Sequence, residues 1–230
     1  KIGDVWKVVE APRPYDGGAS ASVIVPGQQG GSAGPTNPEI PQITNQIQEL
    51  EKSLQSAPNA QRAAIYDQII ILRLKVATLF AAEKDLVNRD KWLRDLADFI
   101  YAAVTIDSYT AGIEKLQTMS KGLSEGGNSD VAAYMLYRAV ESEFLATQKT
   151  APNANAIENY SNRLAKLEQL AKDFPNTLTA AQVQIALISE YEMANRIDDA
   201  KKTAEAIKAT YPNTDIAKKA DGYLRRIDSI

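Results

Sequence analysis

The chain has 230 residues, 44% of them hydrophobic and 24% charged, with a formal net charge of −3. That is enough apolar material for one large core or two small ones, and the slight negative charge gives no overall attraction for nucleic-acid phosphates, so nucleic acid is not an expected partner. No cysteine or histidine occurs anywhere. Disulfides, thiolate nucleophiles, imidazole bases and the usual zinc and haem ligands are therefore excluded together, and no cofactor or metal is expected.

Residues 1–38 differ in character from the rest. The opening KIGDVWKVVE has no initiator methionine and no charged-then-apolar leader, and is expected to be what remains after something upstream was removed. A β-prone stretch leads into YDGGASASVIVPGQQGGSAGPTNP, whose Gly, Ser, Pro and Gln leave few groups able to fill a core. The segment reads as an extended arm or linker anchored by Trp6, with Val23, Ile24 and Val25 as a further apolar point of attachment. Such an arm offers a route to an oligomer by threading onto a neighbour.

From Asn37 the pattern is helical. Asn37 is placed to cap a helix with Pro38 at its first position, and Ile40, Ile43, Ile47, Leu50 and Leu54 follow at intervals of three and four. SAPNAQ breaks the run and Asn59 offers a second cap, after which Ile65, Ile69, Leu72, Val76 and Leu79 form a matching stripe. The two make a long helical hairpin over 39–88. Within it IIILRLKVATLFAA (Ile69 to Ala82) is shorter than the ~20 residues a bilayer span needs and carries Arg73 and Lys75, so it reads as a buried helix and no membrane span is expected.

Residues 89–230 read as a helical repeat region. Helices are expected from about Arg89 to Ala103, Tyr109 to Leu123 and Val131 to Thr147, then one carrying Ile157, Tyr160, Leu164, Leu167 and Leu170 up to Phe174. Thr179 with Gln182 suggests a capping box for a helix carrying Val183, Leu187, Tyr191 and Ala194 on one face and Ile185 and Ile188 on another. Asp198 is the expected cap of the next helix, with Ala200, Ala204, Ile207 and Tyr211 inward, and a final helix carries Ile216, Ala220, Leu224 and Ile227. An aromatic followed by Pro-Asn-Thr closes two of these helices, at Phe174 and at Tyr211. The unit of helix, turn, helix, Pro-Asn-Thr is close to the tetratricopeptide period of about 34 residues. The expected fold is all-α, a right-handed array of eight or nine helices in antiparallel pairs preceded by the arm.

The segment from AKDFPNT to YLRRID resembles the tetratricopeptide-like repeats of bacterial envelope proteins, where similar aromatic-Pro-Asn turns join helix pairs. More narrowly, RDKWLRDLADFIYAAVTIDSYTAGIEKLQTMSKGL, AAYMLYRAVESEF and KKADGYLRRIDSI resemble the helical N-terminal region of planctomycete exported thioredoxin-fold proteins, across residues 90–230. That resemblance implies export to the periplasm or cell envelope and a thiol-disulfide oxidoreductase domain beyond the helices. This sequence carries no Cys-x-x-Cys, so it has no redox pair of its own.

Function is therefore expected to be non-catalytic: a scaffold or protein-interaction module, with an accessory region of a thioredoxin-fold oxidoreductase and a structural subunit of an envelope assembly as the alternatives. Glu141 with Glu143 and Asp198 with Asp199 are carboxylate pairs, but neighbouring helical positions point apart, and capping or solvation explains them without acid–base chemistry. The expected partner is a protein, and docking to a thioredoxin-fold domain is one form it takes. Candidate contacts are Trp6, Tyr191 as an exposed aromatic, and Lys218, Lys219, Arg225 and Arg226 as a basic helix facing an acidic partner. Solubility and favourable cations near a helix C-terminus account for the same four charges. Tyr134, Tyr137, Phe144, Tyr160, Phe174, Tyr191, Tyr211 and Tyr223 are spaced as core or inter-repeat packing, with a concave peptide-binding surface as the alternative. Asn159 to Ser161 matches a glycosylation acceptor inside a helix.

Overall fold

The computed structural model describes residues 37–150 and 156–229. The expectations for the arm and for Trp6 lie outside the described residues. The described residues contain nine helices: α1 (Glu39–Ser56), α2 (Asn59–Ala82), α3 (Leu86–Asp107), α4 (Ala111–Glu125), α5 (Ser129–Thr150), α6 (Ala156–Asp173), α7 (Leu178–Met193), α8 (Ile197–Thr210) and α9 (Asp215–Ile227). They divide into two compact units, one ending at Arg163 and the other beginning at Leu164, so the division falls within α6.

In the first unit α1 begins as its sequence suggests, with the Asn37 side chain accepting the Glu39 N–H at 2.9 Å. Asn59, by contrast, is the first helical residue of α2 and not its cap; Pro58 precedes it and no side chain caps that end. Arg62 near the start of α2 donates to the Leu54 carbonyl near the end of α1, while Lys75 further along α2 pairs with Glu39 at the start of α1. The two helices thus fold back on each other. Ile40, Ile43 and Ile47 turn inward, and the core they enter continues through Ile69, Leu96, Ile100 and Leu116 to Met135 and Ala139 on α5.

α3 packs against α2, α4 and α5. Its turn into α4 needs two backbone concessions. Ser108 takes a left-handed conformation at φ 59°, which lets the Tyr109 N–H reach the Ala103 carbonyl at 3.1 Å and satisfy a helix-end acceptor. Gly112 then lets α4 approach α3 closely: a β-carbon there would lie 2.7 Å from Ile100 Cγ2 and 2.8 Å from Val104 Cγ2.

In the second unit α7 packs on α8 and α9, and α8 on α9. Both Pro-Asn-Thr turns are built alike. Pro ends the helix, Asn takes the left-handed conformation (Asn176 φ 67°, Asn213 φ 63°), and Thr caps the next helix. Thr177 Oγ1 accepts the Ala180 N–H and donates to the Phe174 carbonyl; Thr214 Oγ1 accepts the Ala217 N–H and donates to the Tyr211 carbonyl. The cap of α7 is thus Thr177, not Thr179, which is buried in the first turn, so the expected box with Gln182 does not form. Replacing Thr177 or Thr214 with Ala is expected to cost about 1 kcal/mol each, read as a lowered urea midpoint with unchanged m-value.

The other differences have similar causes. Asp198 does not cap α8; the helix opens after Arg196 with no side-chain cap, and Asp199 receives the Arg196 Nε–H instead. Ala194 is exposed because α7 has already ended at Met193, Tyr211 is half-buried because it stands at the end of α8, and Ile157 is exposed in the first turn of α6. Several helices run longer than expected. α3 starts at Leu86 because Asp85 caps it by accepting the Asn88 N–H.

Candidate functional site

Among the described residues tyrosine hydroxyls repeatedly meet carboxylates. Four times a tyrosine donates to a carboxylate that a cation also holds: Tyr66 to Asp107 with Arg62, Tyr109 to Asp67 with Lys115, Tyr134 to Asp98 with Arg138, and Tyr191 to Glu168 with Arg196. Each set ties different helices, or a helix and a turn, together. Burial, followed by the carboxylate, pushes the Tyr66, Tyr109 and Tyr191 hydroxyls well above the ordinary tyrosine range. They stay protonated at neutral pH as donors.

The densest of these sets lies between α3 and α5. Tyr134 donates to Asp98 Oδ1 at 2.7 Å, and Arg138 Nη2 reaches the same oxygen at 2.6 Å and the Tyr134 hydroxyl at 3.0 Å. The Arg138 guanidinium sits 4.8, 5.2 and 5.6 Å from the ring centroids of Tyr101, Tyr134 and Tyr137. One turn on, Glu141 and Arg163 form an ion pair at 2.9 Å with side chains 5% and 6% exposed, and Phe144 stacks under Arg163 at 5.1 Å. Burial raises the Tyr137 hydroxyl as well, with Glu141 adding to it. The whole set alternates charge and ring along one seam.

The sites singled out in the sequence fall differently. Tyr191 is buried, not exposed, at 6% relative exposure: its hydroxyl is spent on Glu168 at 2.8 Å and Arg196 stacks on its ring at 4.5 Å. Lys218 pairs with Asp215, Arg225 with Asp221, and Arg226 with Glu192, so three of the four basic residues of α9 already have acidic neighbours. Arg225 stays 78% exposed even so. Glu141 is tied to Arg163 and Asp199 to Arg196, so one member of each carboxylate pair is occupied structurally. Asn159, in α6, donates to the Phe144 carbonyl at 3.4 Å. Of the eight aromatics, Tyr134, Tyr137, Phe174 and Tyr191 are buried and the other four half-buried.

Asp98, Arg138 and Arg163 were not singled out from the sequence. The available signal was an arginine in the apolar run AAYMLYRAV, since a charge there must be paired if the helix is buried all round.

One pH response follows from these ties. The Tyr109 hydroxyl, and then Lys115, hold the Asp67 carboxyl below the usual carboxylate range. A depressed folded-state pKa stabilises above the unfolded value of about 3.9 and is lost as pH falls through the folded one. Asp67→Asn is expected to flatten the decline in melting temperature below about pH 4.

Among the described residues no group of three or more acidic side chains is placed to hold a metal ion, and no helix is long and apolar enough to cross a membrane. Comparison of the chain with protein-family models, curated proteins and solved structures finds no match.

Proposed function

We propose that the chain is a non-catalytic scaffold, a tetratricopeptide-like array of right-handed antiparallel helix pairs that engages a protein partner in the bacterial periplasm or cell envelope. The observation that carries this reading is the duplicated aromatic-Pro-Asn-Thr turn, with the same left-handed asparagine, the same threonine cap and the same back-bond to the aromatic carbonyl. A repeated turn that resets the chain identically after each helix pair generates a stack, and stacks present extended surfaces to partners.

In such a stack α7 and α9 stand side by side. Ser189 donates to the Tyr223 hydroxyl at 3.2 Å and Arg226 reaches Glu192, which sets Ile185, Tyr223 and the exposed Lys219 and Arg226 along one joint face. A half-buried aromatic and aliphatic pair rimmed by cations suits a protein segment carrying acidic residues. The test is capture from a bacterial envelope extract by the purified chain, compared with a Lys219→Glu, Arg226→Glu variant. A specific protein retained by the first and lost by the second is expected; identical capture by both removes this face from the reading.

The stretch KKADGYLRR favours a second reading, an accessory region whose catalysis belongs to a thioredoxin-fold domain. Gene sequence past the codon for Ile230 decides it, by the presence or absence of Cys-x-x-Cys.

A further inference from the structure

We infer that two copies of this chain associate through α2, paired antiparallel about Ile71. α2 is apolar over most of its circumference, and Ile71 shares its exposed side with Gln68, Lys75 and Thr78. Tyr66, Ile69, Ile70, Val76, Ala77 and Phe80 account for its buried side. On the opposite side Ile71 is 64% exposed at the middle of the helix.

The symmetry of the face names the occupant. In an isologous antiparallel pair centred on Ile71, a residue four positions before the axis meets one four positions after it, each about 6 Å along the helix from the centre. Those positions are Asp67 and Lys75, of opposite charge, with side chains 47% and 50% exposed. Both keep hydrogen-bonding capacity. Tyr109 and Lys115 both approach Asp67 through Oδ1, leaving Oδ2, and Lys75 directs one of its three N–H groups to Glu39. A second copy therefore answers this face with its own charges twice over, while its Ile71 covers the first. A heterologous partner would need to supply the same arrangement independently.

A contact made chiefly by one helix from each chain falls below the roughly 800 Å² per partner of a standard interface, so the dimer forms at high concentration. The experiment is light scattering on the full chain at about 100 μM, a concentration suited to a small interface. The expected mass is twice 25.1 kDa. Ile71→Glu, which buries an acid against its own copy, is expected to return it to a single chain with helicity unchanged. Lys75→Glu, which sets the introduced carboxylate of each copy against Asp67 of the other, is expected to raise the dissociation constant about tenfold. A wild-type mass of one chain, a mass above two, or a dimer indifferent to both substitutions overturns the inference. Its outcome is separate from partner capture, since neither substitution touches α7 or α9.

Discussion

Arg163→Ala is expected to destabilise the chain by about 3–5 kcal/mol, because it takes the Arg163 guanidinium away from the buried Glu141 carboxylate. The Arg163 and Glu141 side chains are only 6% and 5% exposed, so water cannot take over the lost bond. Removing both charges is a different experiment. Arg163→Met with Glu141→Leu replaces the pair by groups of similar bulk and is expected to recover part of the loss, since a buried ion pair gains little beyond its own desolvation. Urea unfolding of the two single variants and the double one measures this directly. A single variant as stable as the parent would mean that the pair is solvated in solution.

Gly112→Val is the second large effect, expected at about 3 kcal/mol, with Gly112→Ala smaller at about 1–2 kcal/mol. The obstacle is stiff. The atoms a β-carbon would meet are γ-methyl groups of Ile100 and Val104, β-branched residues with little rotamer freedom in a helix. Alanine's better helix propensity offsets about 1 kcal/mol of the clash, which is why the valine variant is the clearer probe. Gly222 is the matched control: a β-carbon there meets nothing within 4 Å, so Gly222→Ala is expected to stabilise slightly. Thermal melts of the three variants separate steric from propensity effects.

The helices were legible because their apolar residues recur every three or four positions, and this chain keeps that period from Ile40 to Ile227. Caps were less legible. Thr177 and Thr179 stand two residues apart and both satisfy the composition of an N-cap; which one acts depends on where Pro175 stops α6 and Asn176 turns the backbone, and this placed the cap nearer the turn. The exposure of Tyr191 was illegible for another reason. Its inward course follows from Glu168 on α6 and Arg196 beyond α7, and sequence spacing does not show that these two will meet over one ring. Asp98, Arg138 and Tyr134 pose the same difficulty: each looks ordinary within its own helix, and they become a unit only once α3 lies beside α5.

The paired turns also bear on how quickly the second unit reaches its fold. Its cross-links are short in sequence: Ser189 to Tyr223 and Glu192 to Arg226 each span 34 residues. Closing loops of that size costs little chain entropy, and helical topologies dominated by such neighbours fold in microseconds to milliseconds. Each threonine-capped turn is a local starting point that needs no distant segment to be in place. Stopped-flow refolding is therefore expected to show the α7–α9 signal, followed through Tyr211 and Tyr223, complete within milliseconds, so that this unit can be ordered soon after its last helix is made.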